Sequence, residues 1–562
     1  MKRSGGRAGS ATGASRAVLF AVVALLGTAC GEAPDAVAAK REAELVITHA
    51  RVITVDDAFT IADTVVVDEG RIAAVGGPEL LERWTAPEVL DLEGRALMPG
   101  FVDAHIHIRG TARRHVALAG TSSIAELQAR VEARARALGP GEWITGYGWS
   151  EDELADGRKP DRRDLDAVAP DNPVVLTRAG GHSAVANSRA LLLGEIDAAT
   201  DDPDGGVIER DAQGVPTGVI RERQDLLTRL VPAATEAELE ESLVEALEAL
   251  LPLGITSIVD AAKQPEDWPR WVKVYAQHRG ELPRAAVQML WPGAEAMAAL
   301  REQDPADEHL RLGPIKVFAD GGFTGPAAFT TEPYVGQGDY RGYLTRPEPE
   351  LVALLDEIHD AGWQMGVHAI GDAAIEIVAQ TLAEVLERNP RENHRHYLNH
   401  FSMRPTDATM DLMAQHGIAI TQQPNFTYTL EGRYVANLDG WRLEHNNPVR
   451  SPMEHGIHVA LSSDILPIGP LVGLYGAVTR KGMSGRVFAE EEAITMPEAI
   501  RAYTRDAAWI TFEEDEKGSI EVGKLADMIE LSEDLLTIPP ERIMDVQVLR
   551  TWLGGRLVHA RD

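Results

Sequence analysis

The stretch that decides the fold is "MPGFVDAHIHIRG", Met98 to Gly110. A Pro-Gly break at Pro99 and Gly100 opens a short apolar run. The run ends in two histidines, His105 and His107, in a chain that has only 17. Side chains at i and i+2 of a strand face the same way. A strand over Phe101–His107 therefore sets the two imidazoles side by side. Two neutral imidazoles converging on one point suit a divalent metal such as zinc. The competing account is a pair of solvent-facing histidines on an edge strand, and the surrounding sequence has to decide.

Downstream, apolar runs alternate with helix-patterned stretches, the signature of parallel βα units. With Phe101–His107 as the first, the other strands are read at Gly254–Asp260, Arg284–Trp291, Pro314–Ala319, Trp363–His368, His396–His400, Gly417–Gln422 and Ile457–Ser463. Helices are expected at Glu236–Leu251, Glu348–Ala361 and Ala374–Arg388. Eight such units predict an α/β protein built on a (β/α)₈ TIM barrel. The first crossover is too long for a loop, so an insertion lobe is expected after strand one, at about residues 140–230.

Two flanks read differently. Residues 44–98 hold "ELVITHARVITV", "TVVVDEGRIAAVG" and "EVLDLEGRALM", alternating apolar residues broken by turns. Residues 508–562 repeat the style in "GSIEVGKLADMIEL" and "VQVLRTWLGGRLVHA". These predict a small β-sandwich domain built from both chain ends around a barrel at 99–507.

The start of the chain differs again. Lys2, Arg3, Arg7 and Arg16 precede the apolar run Ala17–Leu26, the layout of a secretory signal peptide over residues 1–29. Cys30, the single cysteine of the chain, follows directly, which excludes an internal disulfide. Its position resembles the lipidated cysteine of bacterial lipoproteins, although Gly27 stands where those signals usually carry leucine. The expectation is an exported protein, anchored in a membrane by lipid on Cys30 and facing the periplasm or exterior. Residues 30–43 read as a flexible tether.

A formal net charge of −33 argues against nucleic acid as a partner, since that needs a basic footprint. The expected partners are a small-molecule substrate and, through the anchor alone, a membrane. A homodimer is left open.

In a barrel, chemistry sits at the C-terminal ends of the strands. His105 and His107 end strand one, Lys316 lies in strand four, His368 ends strand five, His400 ends strand six and Asp464 follows strand eight. Burying so many polar groups at one mouth without a shared ionic purpose would cost several kcal/mol.

This ordered set resembles the amidohydrolase superfamily, in particular amidohydrolase family 3, the branch similar to N-substituted formamide deformylases. The matching stretches are "MPGFVDAHIH", "GGHSAVANSRAL", "PTGVIRE", "GITSIVDA", "IKVFADGG", "GVHAIGDAAI", "LNHFS", "LSSDILP" and "KGSIEVGKLADM". The resemblance implies that His105 and His107 bind the more buried of one or two divalent metals, zinc by expectation. It implies that Lys316, carboxylated by CO₂ to a carbamate, bridges two metals, that His368 and His400 bind the second, and that Asp464 binds the first and shuttles the proton. The plainer account of Lys316 is an ion pair with Asp320 or another carboxylate. Glu222 is a second candidate for the anionic ligand, or else a carboxylate in the first turn of a helix. His182 either reaches over the mouth to hold a substrate carbonyl or packs the lobe.

The chemistry implied is metal-assisted hydrolysis of a non-peptide C–N bond, in an amide, formamide or cyclic amide, with Asp464 as base and then acid. Absence of a Gly-x-Ser-x-Gly elbow argues against a serine hydrolase. A deaminase or ester hydrolase on the same metals, and a non-catalytic ligand-binding lipoprotein, are the rival accounts.

Overall fold

The strand that opens at Phe101 is possible only because residue 100 is glycine. A Cβ there would stand 2.2 Å from the side chain of Thr256. This close approach lets β1 (Phe101–Ile106) pair in parallel with β2 (Ile255–Lys263). The computed structural model describes residues 40–561 except 109, 111, 152, 180, 324 and 466. The expected signal peptide, Cys30 and the tether as far as residue 39 lie outside the described residues. No described helix is long and apolar enough to cross a membrane.

Six more parallel strands follow: β3 (Arg284–Met289), β4 (Ile315–Phe318), β5 (Met365–Ala369), β6 (Tyr397–His400), β7 (Ala419–Gln422) and β8 (Val459–Leu461). They fall into two sheets. One is four-stranded, in the order β1, β2, β3 and a short strand Leu310–Leu312; the other is five-stranded and runs from β4 to β8. Single parallel bridges tie the two together on both sides, Leu290 to Lys316 and Ile106 to Asp464. The strand Leu310–Leu312 was not anticipated, because three residues with Arg311 at the centre leave no apolar run to read.

Helices between the strands carry the apolar stripe that covers a parallel sheet. Asp372–Arg388 buries Ile375, Val378, Ala379, Leu382 and Leu386 at three- and four-residue spacing. Glu236–Glu248 starts where Thr235 and Glu238 form a reciprocal capping box. Ile258, Val287, Val317, Val367, Leu398, Ile420 and Leu461, from successive strands, share one apolar core with these helices.

Both chain ends meet in a six-stranded sheet, where Ala96–Pro99 pairs antiparallel with Met528–Leu531. A second, four-stranded sheet comes from the N-terminal flank alone, and Leu45, Ile47, Val65 and Val67 on it share a core with Met528 and Trp552. Arg284 of β3 donates to both oxygens of Asp527 at 2.6 and 3.0 Å, with both side chains buried. This two-pronged pairing offsets the cost of desolvating the charges and fixes the C-terminal flank to the parallel strands. Between β1 and the Glu236–Glu248 helix runs a mixed six-stranded sheet, from His115–Ala117 to Pro216–Arg221.

Candidate metal centre

The strand tails bring six of the expected residues together. His105 and His107 stand with ring centroids 5.2 Å apart and planes perpendicular. His400 closes from β6, its ring 4.9 Å from His105 and 4.5 Å from His368 of β5. Lys316 reaches in from β4, its Nζ 3.3 Å from His105 Nε2. Asp464, past β8, lies 3.5 Å from His107 Nε2 and 3.9 Å from His400 Nδ1. His105, His400 and Asp464 each present a ligand atom within 4.8 Å of the others. Both His400 and Asp464 hold left-handed backbones, φ 78° and 57°. Such conformations cost non-glycine residues energy and gather at functional sites.

Burial sets the protonation states. It pulls His105 and His400 well below the ordinary imidazole range and His368 down to about 3. Each therefore presents the neutral ring that metal ligation requires. The same desolvation pushes the Lys316 ammonium down to about 7, against the pull of Asp464. His105 Nδ1 is buried without a hydrogen-bond partner, and a buried polar atom left so calls for an explanation. Three neutral imidazoles, one with an orphan nitrogen, together with His107 and the carboxyl group of Asp464, fit a divalent metal.

Three more residues organise the cluster: Asp103 and Gln423, which were not singled out in the sequence, and Asp320, which was weighed only as a partner for Lys316. Asp103 accepts the backbone amides of Ser463 and His105. Asp320 takes the amides of Phe329, Ile370 and Gly371 at 2.9–3.1 Å and lies 3.5 Å from His368 Nε2. Burial raises both carboxyls to about 7, against those amide bonds. The Lys316–Asp320 ion pair weighed from the sequence does not form; Lys316 meets His105 and, at 5.1 Å, the ring of Phe318. Gln423 accepts His400 Nδ1–H at 2.8 Å. The readable signal was an aspartate inside an apolar strand, which "FVDAH" shows plainly; Gln423 carries no such mark.

His182 and Glu222 are brought to each other instead of to the cluster. His182 Nδ1 lies 3.1 Å from Glu222 Oε2, and their side chains are 81% and 57% exposed. Neither lines the cavity on which the cluster opens.

That cavity measures about 420 Å³. Its floor is His107, His368, His400 and Asp464; Phe318, Phe323, Ile370, Phe426 and Leu430 wall it, and Lys263 stands at one side. Mostly apolar walls with a few converging polar groups are the usual make-up of a small-molecule site.

Fold and donor set together define a metal-dependent hydrolase of mixed α/β architecture. The model of the Amidohydrolase family (Amidohydro_3) matches residues 88–559, and the chain belongs to that family. It is 32% identical to the N-substituted formamide deformylase of Arthrobacter pascens, over 92% of this chain and 98% of that protein. It is 31% identical to YtcJ of Bacillus subtilis strain 168, over 89% and 96%. Among solved structures, a metal-dependent hydrolase from Pyrococcus furiosus superposes with TM-score 0.68 at 25% identity, covering 88% of this chain and all of that one.

Proposed function

We propose that this protein hydrolyses a non-peptide C–N bond of a small molecule, an amide, formamide or cyclic amide. The observation that carries this reading is a cluster of four histidines, Lys316 and Asp464, of which His107, His368, His400 and Asp464 line one apolar-walled cavity. The deformylase relative supports the bond type.

His105, His107, His368, His400 and Asp464 would hold the metal, zinc in our reading. When bound, such an ion acidifies water and polarises a substrate carbonyl. Asp464 takes the proton from the attacking water and hands it to the leaving amine. The apolar walls exclude bulk water and seat an apolar substituent. Lys316, once carboxylated, would supply an anionic ligand for a second ion. Its neutral Nζ forms a bond to the carbon of CO₂, one proton leaves, and a carbamate with two oxygens remains. A burial-lowered lysine provides the neutral amine that this step needs.

We read the eight parallel strands as a (β/α)₈ barrel closed by the two bridges, with a β-sandwich domain from the chain ends and a lobe inserted after β1. The N-terminal residues support export and anchoring through lipid on Cys30. Cys30→Ala should shift the protein from membrane to soluble fraction; unchanged membrane association and mass would refute the anchor.

The test of function is a panel of N-formyl amines, N-acyl amines and cyclic amides given to zinc- or manganese-loaded protein. Release of formate, carboxylate or amine is the expected result. Ammonia or alcohol release from purines or esters alone would make it a deaminase or esterase on the same site.

A further inference from the structure

Strand β2 carries an extra residue beside the cavity. Across β3, Asp260 pairs with Val287 and Lys263 with Met289, so three steps along β2 match two along its neighbour. Ala262, inside this bulge, holds a left-handed backbone at φ 61°, which alanine rarely adopts. In a regular strand, side chains three positions apart face opposite sides. A bulge cancels that alternation and re-aims a side chain.

Lys263 is the residue re-aimed. It turns to the side of Asp260, with Nζ 3.1 Å from Asp260 Oδ2, and donates to the Ile108 carbonyl at 2.5 Å. Asp260 is fully buried and accepts the Ile108 amide through its other oxygen at 2.8 Å. An ammonium has three N–H donors. One is held by the Ile108 carbonyl and the ammonium is ion-paired with Asp260, while the side chain lines the cavity with His107, His368, His400 and Asp464. Among the described residues, and outside that candidate metal cluster, Lys263 is the one charged residue lining the cavity; most of the rest is apolar.

We infer that Lys263 determines specificity by binding a carboxylate of the substrate, and that the substrates are N-formyl or N-acyl amino acids with apolar side chains. This rests on the C–N hydrolysis proposed above. A charge-assisted hydrogen bond is about twice as strong as a neutral one, and the apolar surroundings strengthen it further. An ammonium in the wall of such a cavity, with an N–H to spare beyond the Ile108 carbonyl and the Asp260 pair, therefore favours an anion over a neutral group. In an N-acyl amino acid a single carbon joins the scissile nitrogen, the carboxylate and the side chain. The metal cluster, Lys263 and the apolar wall can then each take one group. The strained bulge is the local cost of that placement.

The experiment compares formate release from N-formyl-leucine and N-formyl-leucinamide by the metal-loaded enzyme, with neutral N-formyl amines alongside. The native protein should favour the acid by about tenfold or more in kcat/KM, mainly through KM. Lys263→Met should lower the acid about tenfold more than the amide, and Lys263→Arg should keep part of the preference. Absence of a preference in the native protein would overturn the inference. So would equal loss of both substrates in Lys263→Met, the result expected if the lysine only ties β2 to Ile108. Cleavage of neutral formamides without preference for the acid would remove this inference alone. No cleavage of any N-formyl or N-acyl compound would remove the hydrolysis reading and this inference with it.

Discussion

Asp103 accepts the backbone amide of Ser463 with both carboxylate oxygens, each at 3.1 Å, across 360 positions of sequence. The same side chain accepts the amide of His105 at 3.3 Å. One carboxylate on β1 thus sets the position of a histidine two residues on and of Asp464, the residue after Ser463. Asp103→Asn keeps the shape but replaces one acceptor with a donor facing an N–H. Metal retention should fall about 10–100-fold, the usual scale for a group that orients ligands. Metal content after dialysis against a chelator of graded strength measures it. Native-like retention would reduce Asp103 to a packing residue.

Gln423 fixes which nitrogen of His400 is free. Its Nε2 donates to the Thr421 carbonyl at 3.3 Å and to Ser462 Oγ at 2.7 Å. A carbonyl only accepts, so the amide nitrogen has to face that way and Oε1 faces His400. His400 then carries its proton on Nδ1 and keeps the Nε2 lone pair for a metal. Gln423→Leu should weaken metal binding about tenfold or more, while Gln423→Glu, which still offers an acceptor, should weaken it less. Identical metal affinity in both variants would sink the idea.

Asp464 differs from its neighbours Ser462 and Ser463 in what it can do with a proton. Asp464→Asn should lower kcat by roughly 10²–10⁴, the range for a general acid–base group. The measurement has to be made on variant protein shown to hold metal, since Asp464 also belongs to the ligand cluster. A near-native kcat with metal bound would remove the proton-shuttle role.

Much of this centre was legible because strand-tail chemistry leaves marks in sequence. His105, His368, His400 and Asp464 each stand at the end of an apolar run, and a period-two strand says where such a residue points. What stayed hidden depends on contacts between distant segments. Asp103 looked like part of a strand until its partner Ser463 was known. Lys263 was invisible because a one-residue bulge flips its side, and Ala262 has no sequence signature for a left-handed turn. His182 and Glu222 belong to matched stretches, yet their mutual contact at the surface follows from the pairing of Ser183–Ala186 with Pro216–Arg221, which spacing alone does not give. Strand positions were read from apolar runs, and the run at Gly254–Asp260 was ended too early, at the charged Asp260, whereas the strand continues to Lys263.

Lys316 offers the sharpest remaining test. It lies on β4, fully buried, 3.3 Å from His105 Nε2. A protonated ammonium cannot ligate a metal, and a neutral amine holds one at most. A carbamate ends the same long stem in two oxygens and can span two ions ~3.5–4 Å apart. Burial favours the first step, because an uncharged amine is the form that reacts with CO₂, and desolvation holds Lys316 near neutrality. Metal loading should therefore depend on bicarbonate, and ¹³C-bicarbonate should give a carbamate carbon signal that Lys316→Ala abolishes. The same variant should lose metal towards one ion or none, with partial recovery when a short carboxylic acid fills the space. A single ion held by His105, His107 and Asp464 beside an unmodified lysine would make the site mononuclear. Hydrolysis would survive that outcome, with the deaminase account strengthened; the bridging role of Lys316 would not.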